Sequence, residues 1–277
     1  MKQLTVITGG AGGMGRAIAK KLGPEYDLVL ADRSEEALTK AAAELSELGI
    51  TAHTCVVDIS SKEDVEKLAD FAAGLGDIRN VIHTAGVSPT NTGAEDVLKI
   101  NGLGTMYMTE AFYPRMAGGG VMVNFGSVAA YTLEPQEEWY DVFDECNEPD
   151  FYDKLLELVA PFQGDDFAYA GTCYAIIKRF VIYYTQKNVA RFAEKNTRIL
   201  SVSPGSYLTP MHQLLIDLEP DTADCQLDLI PAGRWGHPYE IAELIGFLVS
   251  PGAGFISGVD ILADGAQTAN TFVEQLD

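Results

Sequence analysis

Short apolar runs separated by helix-length stretches recur along the chain, and this rhythm restricts the fold more than any other feature. Leu4 to Thr8 is a strand-like run ending in a glycine cluster, and Met14 to Leu22 carries apolar side chains at helical spacing. Leu28 to Ala31 reads as a second buried strand, followed by Ser34 as N-cap of an Ala-, Leu- and Glu-rich helix that stops at Gly49. The alternation continues with a strand near Cys55 to Val57, a helix from about Lys62 to Ala73 and a strand at Val81 to Thr84. A helix around Gly102 to Met116 and a strand at Val121 to Phe125 come next. Later, a helix from about Ala170 to Lys195, a strand at Ile199 to Val202, a helix at Pro238 to Val249 and a strand at Val259 to Leu262 complete the pattern. Strands alternating with helices of this length imply parallel pairing through right-handed crossovers, hence an α/β chain with a doubly wound parallel sheet.

The rhythm fails between about Thr132 and Phe167, where twelve Asp or Glu stand against one Lys, a net of −11 within a chain of net charge −21. Glu137 to Asn147 and Phe151 to Phe162 can each be drawn as amphipathic helices, the second with Phe151, Leu155, Leu158, Val159 and Phe162 along one stripe. With no repeat or linker in sight, the segment reads as a helical acidic insertion within one domain spanning residues 1–277. The stripe packs the insertion onto its own domain, or it walls a substrate pocket or a subunit contact.

The charge of −21 repels phosphate backbones and anionic lipid surfaces, so neither nucleic acid nor membrane is expected as a partner. No stretch reaches the roughly 20 apolar residues needed to cross a bilayer, and Met1 to Gln3 lead into the first strand without a signal-like apolar region, so a cytoplasmic protein is expected. Cys55, Cys146, Cys173 and Cys225 include no CxxC pair, and His53, His83, His212 and His237 lack ligand spacing, so no metal is expected.

Thr8, Gly9, Gly13 and Gly15 lie where the first strand turns into the first helix, and Asp32 ends the second strand. Bare glycine backbone lets N–H groups approach a phosphate, the helix N-terminus adds positive potential, and an acid one strand later suits ribose hydroxyls. This is the arrangement of a Rossmann-type dinucleotide site. Asp32 would repel the 2′-phosphate of NADP and so favours NAD, although the adjacent Arg33 could hold that phosphate.

Further motifs fall in the same order along the chain: TGGAGGMG at Thr8 to Gly15, Asp58, HTAG at His83 to Gly86, Asn101, Ser127, Tyr174 with Lys178, Pro204 with Gly205, Thr209, and Asp264 with Gly265. With them the chain resembles the short-chain dehydrogenase/reductase family over nearly its whole length, the acidic insertion excepted. The resemblance implies a catalytic tetrad of Asn101, Ser127, Tyr174 and Lys178. It implies a cofactor site made from Gly9, Gly13, Met14, Gly15, Asp32, Arg33, Asp58, Ile59, Ala85, Gly86, Tyr174, Lys178, Pro204, Gly205 and Thr209. Tyrosine ordinarily titrates near pH 10, so a base role near neutrality needs a neighbouring cation, and Lys178, four residues on, shares the helical face of Tyr174. In this scheme Ser127 polarises the substrate oxygen, Lys178 also holds the nicotinamide ribose, and Asn101 positions a water that returns protons to Lys178.

Tyr183 and Lys187 repeat the same spacing on the same expected helix. They lie nine residues further on, and at about 100° per residue this turns them to the opposite face, expected to meet solvent or a second subunit. Tyr174 is also nearer the helix start, at the carboxyl edge of the sheet where open α/β folds bind ligands. One departure from the family is the pair His83 and Thr84, where two Asn are usual; His83 is read as ending a buried strand.

The family usually places about a dozen residues between the serine and the tyrosine, whereas Ser127 and Tyr174 are 47 apart. A comparable insertion occurs in bacterial 3α-hydroxysteroid dehydrogenase/carbonyl reductases, which points to a hydroxysteroid or another bulky apolar alcohol. Tyr207, Leu208, Met211, Leu214, Leu215 and Ile216 would form an apolar lid. Sugars or short alcohols are the alternative substrates, and a catalytically idle NAD-binding protein using the insertion for partner recognition is the alternative role. The family's habit of pairing through its long helices and last strand implies a homo-oligomer, dimer or tetramer, which the insertion would obstruct or remodel at one contact.

Overall fold

The computed structural model describes residues 3–274. Its first half alternates β1 (Leu4–Thr8), α1 (Gly13–Leu22), β2 (Asp27–Asp32), α2 (Glu35–Glu47), β3 (Ala52–Val56), α3 (Lys62–Leu75) and β4 (Ile78–His83). Then come α4 (Ala94–Leu98), α5 (Gly104–Phe112), β5 (Met116–Phe125) and the insertion helices α6 (Glu137–Asp144) and α7 (Phe151–Val159). The remainder is α8 (Asp166–Lys187), α9 (Val189–Glu194), β6 (Arg198–Pro204), α10 (Pro210–Leu218), α11 (Pro220–Asp228), α12 (Pro238–Val249), β7 (Asp260–Ala263) and α13 (Gln267–Glu274). The seven strands form one parallel sheet in the order β3-β2-β1-β4-β5-β6-β7. The doubly wound Rossmann-type α/β fold expected from the alternation is therefore what the chain adopts.

Helices cover both faces of the sheet, which is why its central strands are continuous apolar runs. Ile7, Leu28, Leu30, Val123 and Leu200 meet Ile18, Leu38, Leu45, Ile241 and Ile245 on one face. Val6, Val29, Val81, Met122 and Ile199 meet Val65, Leu68, Met108 and Phe112 on the other.

Several boundaries differ from the pattern reading. The helix expected from Gly102 begins at Ala94 and is interrupted by a wider π-type turn at Lys99–Leu103, and the following strand begins at Met116 rather than Val121. The long helix begins at Asp166, where the Asp165 carboxylate accepts the Ala168 N–H at 3.0 Å, an N-cap. It ends at Asn188, whose side chain donates to the Tyr184 carbonyl at 2.9 Å before α9 continues. Helices α11 and α13 had no clear periodic signal.

The insertion packs onto its own sheet layer. Trp139, Phe143 and Cys146 join Phe151, Leu155 and Val159 in a cluster with Val97, Leu98 and Met106 and, on α8, Cys173, Ile176, Ile177, Phe180 and Tyr184. Phe143 sits edge-on to Phe180, with ring centroids 5.2 Å apart. Of the expected stripe, Phe162 lies outside this core at 45% exposure. On the face of Tyr183 and Lys187, Tyr183 is half-buried against α6 while Lys187 is exposed, as expected of a side turned to solvent. Tyr183 donates to the Asp144 carboxylate, and Lys187 Nζ contacts the carboxylate and carbonyl of the same residue at 2.9 and 2.8 Å. Tyr184 is buried and donates to Glu110 at 2.9 Å.

Candidate active site

At the carboxyl end of β1 the chain turns through Gly9, which has φ +62°, a conformation L side chains rarely adopt. A Cβ at Gly9 would also stand 2.8 Å from the Thr84 hydroxyl, and one at Gly13 would stand 2.9 Å from Thr209 Cβ, so both glycines admit close neighbours. Helix α1 starts from Gly12 without a side-chain cap, leaving its first N–H groups for an anion. Met14 is partly buried and packs against the core of the α1 face.

The Asp32 carboxylate leans across the turn and accepts the Ala11 N–H at 3.2 Å, while Arg33 beside it is exposed. Asp58 accepts from the Ser60 backbone and hydroxyl at 2.9 and 2.7 Å, and Ile59 is buried. These residues gather around the turn at the carboxyl ends of β1, β2 and β3.

The end of β4 grips β1 at Thr8. The Thr84 hydroxyl donates to the Thr8 carbonyl at 2.7 Å, the Ala85 N–H donates to the Thr8 hydroxyl at 3.3 Å, and His83 Nδ1 lies 2.7 Å from that hydroxyl. Burial first, and then the charge of Lys178, hold His83 down at about 3, so its ring is neutral. These contacts to Thr8 were not read from the sequence, although the departure from paired Asn at 83 and 84 marked the place.

Asn101 sits inside the π-type turn, buried, and its carboxamide is committed to one partner. Its Oδ1 accepts the Val87 N–H at 3.0 Å and its Nδ2 donates to the Val87 carbonyl at 3.1 Å. Each polar atom of the side chain thus makes one hydrogen bond to the Val87 backbone. Gly86 is bare where a Cβ would stand 2.7 Å from Asn101 Oδ1 and 3.7 Å from Lys178 Nζ, so the three residues share one small space.

Ser127 follows β5, and its hydroxyl accepts the Ala129 N–H at 3.2 Å. Lys178 Nζ donates to the Phe125 carbonyl at 2.8 Å and lies 5.6 Å from the Tyr174 ring centroid. Burial draws Lys178 down from 10.5 to about 8. Burial pushes the Tyr174 phenol up, and a hydrogen bond with Ser127 opposes that rise. Asn101, Ser127, Tyr174 and Lys178 therefore meet beside Gly86, at the same sheet edge as the glycine turn.

Pro204 and Gly205 end β6, with the Gly205 N–H donating to the Ala263 carbonyl at 2.9 Å. The Thr209 hydroxyl caps α10 by accepting the His212 N–H at 3.2 Å. Among the described residues no group of His, Cys, Asp and Glu could hold a metal ion, and no helix is long and apolar enough to cross a membrane.

Residues 3–141 match the family model described as short chain dehydrogenase, and residues 164–268 match one described as enoyl-(acyl carrier protein) reductase. A short-chain dehydrogenase/reductase of Alternaria brassicicola is 32% identical over 273 residues, covering 97% of each chain. A diacetyl reductase, (S)-acetoin forming, of Staphylococcus epidermidis is 28% identical over 287 residues, covering 96% of this chain and 98% of the relative. The crystal structure of levodione reductase superposes with a TM-score of 0.75 at 26% identity, covering 96% of this chain and 98% of that one. The chain belongs to the short-chain dehydrogenase/reductase family, whose members are oxidoreductases that bind a nicotinamide cofactor.

Proposed function

We propose that this protein is an NAD-preferring dehydrogenase that interconverts a secondary alcohol and a ketone, with Tyr174 as its acid–base residue. The observation that carries this reading is the meeting of Ser127 and Lys178 at the Tyr174 phenol beside the glycine turn. In the oxidative direction Tyr174, as phenolate, takes the hydroxyl proton of the substrate, Ser127 donates a hydrogen bond to the same oxygen, and the Lys178 ammonium stabilises the phenolate. Nicotinamide, when bound, supplies the hydride acceptor. Asn101 acts through the backbone of Gly86 and Val87, holding the wall against which Lys178 stands.

The glycine turn and the uncapped start of α1 would take the pyrophosphate, with Met14 beside them. Asp32 would take the adenosine ribose, and Asp58 and Ile59 would flank the adenine. Ala85, Gly86, Pro204, Gly205 and Thr209 would line the nicotinamide half. The carboxylate of Asp32 against the turn supports NAD; the exposed Arg33 beside it would favour NADP.

Apolar side chains left open on the segment after Gly205 support a bulky apolar substrate, hydroxysteroids included: Leu208, Met211, Leu218 and Leu229 are all exposed. Two relatives are named for ketones, diacetyl and levodione, so small ketones and sugars belong among the candidates. The insertion covers the outer faces of α4 and α8, so a homo-oligomer would use the free edge of β7, flanked by exposed Phe255, Val259 and Leu262. The net charge of −21 supports small molecules over nucleic acid or anionic lipid as partners, and a cytoplasmic location is part of this reading.

The test is reduced-cofactor formation across hydroxysteroids, cyclic and simple secondary alcohols and sugar alcohols, with the matching ketones in reverse, using both NAD and NADP. Tyr174→Phe is expected to lower kcat by ~10²–10⁴-fold while leaving NAD affinity within a few-fold. Tight NAD binding without turnover on any substrate would favour the idle, partner-recognising reading, and equal use of NADP would reject the role given to Asp32.

A further inference from the structure

Two buried polar atoms beneath the catalytic helix have no partner among the described residues: His83 Nε2 and Asn124 Oδ1. Their hydrogens can be assigned by counting donors. The buried Thr8 hydroxyl accepts from the Ala85 N–H and, among the described residues, has no acceptor for its own proton other than His83 Nδ1, 2.7 Å away, so that proton goes to Nδ1 and the proton of the neutral ring stands on Nε2. The Thr185 hydroxyl donates to the Val181 carbonyl at 2.8 Å, so it can only accept from Asn124, and it takes Nδ2 at 3.0 Å. Asn124 Oδ1 is therefore a true acceptor left over, and His83 Nε2 a true donor left over.

His83 and Asn124 are register partners on β4 and β5, so they point to the same face from strands about 4.8 Å apart. Both are enclosed, at 2% and 0% exposure. A complementary donor and acceptor, neither matched and neither reachable by bulk solvent, form the kind of polar gap that an internal water fills.

We propose that one internal water bridges His83 Nε2 to Asn124 Oδ1, closing a hydrogen-bonded chain from Thr8 at the phosphate turn to Thr185 on α8. His83 and Asn124 are then positioning residues that tie the cofactor turn to the helix carrying Tyr174 and Lys178. The neutral state of His83 fits the bridge, because an imidazolium would place a second charge close to Lys178. The positioning role rests on the dehydrogenase reading; the water itself does not.

A high-resolution crystal structure, with and without NAD, is expected to show one density peak within about 3.2 Å of both atoms. NMR of the histidine-labelled protein is expected to place the His83 proton on Nε2, in slow exchange with solvent. Asn124→Leu and His83→Asn are each expected to weaken NAD binding about fivefold, with the double variant no more than about twofold worse than the weaker single one, because both break the same bridge. An empty gap, a direct Nε2 to Oδ1 hydrogen bond, a proton on Nδ1, or fully additive losses each overturn the proposal. Density and NMR are read without turnover, so failure of the dehydrogenase reading leaves them unchanged.

Discussion

Replacing His83 by Asn should flatten the loss of stability on acidification. In the folded protein His83 is held at about 3 by burial and by Lys178, against an ordinary value of 6.5 in the unfolded chain. Between those values the unfolded state binds a proton that the folded state refuses, so stability rises with pH and is lost as pH falls through 6.5 towards 3. Each pH unit within that window is worth about 1.4 kcal/mol. At pH 5 the cost is about 2 kcal/mol relative to pH 8, where the ring is neutral in both states. Many carboxylates titrate over the same range, so the informative quantity is the difference between wild type and His83→Asn. Urea unfolding of both proteins at equal concentration from pH 5 to 8 measures it. The wild type should lose about 2 kcal/mol more than the variant as the pH falls from 8 to 5, whatever their offset at pH 8. Parallel curves would show that the ring is either already protonated in the fold or open to water, and the reasoning would fail.

Ketone reduction should slow above about pH 8, because the Lys178 ammonium is complete below that value and lost above it, leaving Tyr174 without the cation that stabilises its phenolate. A reduction rate unchanged to about pH 9.5, or the same decline in Lys178→Met, would refute this. Phe143→Ala should cost about 3–5 kcal/mol of stability, since the ring is fully buried among Phe180, Tyr140 and Tyr183. Calorimetry of the variant decides it, and a loss below about 1 kcal/mol would mean that the insertion is not held through this core.

The alternation of strands with helices and the glycine turn were legible because the central strands are apolar runs bounded by turn residues, and Gly9 and Asp32 sit at strand ends where the chain must change direction. The different surroundings of Tyr174, beside Ser127 and Lys178, and Tyr183, beside Asp144, were legible from helical phase, a property of spacing alone. The covering of Tyr183 by α6 was not, because a partner 39 residues away in sequence leaves no periodic trace. The wide turn at Asn101 was hidden for a related reason: its side chain is held by the backbone of Val87, 14 residues earlier, a contact that leaves no periodic trace. His83 illustrates a third case. Its place at the end of a buried strand follows from the run before it, but its hydrogen bond to Thr8 depends on the register between β1 and β4.

Because α6 and α7 are covalently part of the chain, their contact with α8 is a first-order event. Helices braced by another molecule loosen on dilution, whereas here the apolar support behind Tyr174 and Lys178 has the same effective concentration in a nanomolar assay as in a crowded cell. The midpoint of thermal unfolding should accordingly be indifferent to protein concentration unless the free edge of β7 recruits a second copy.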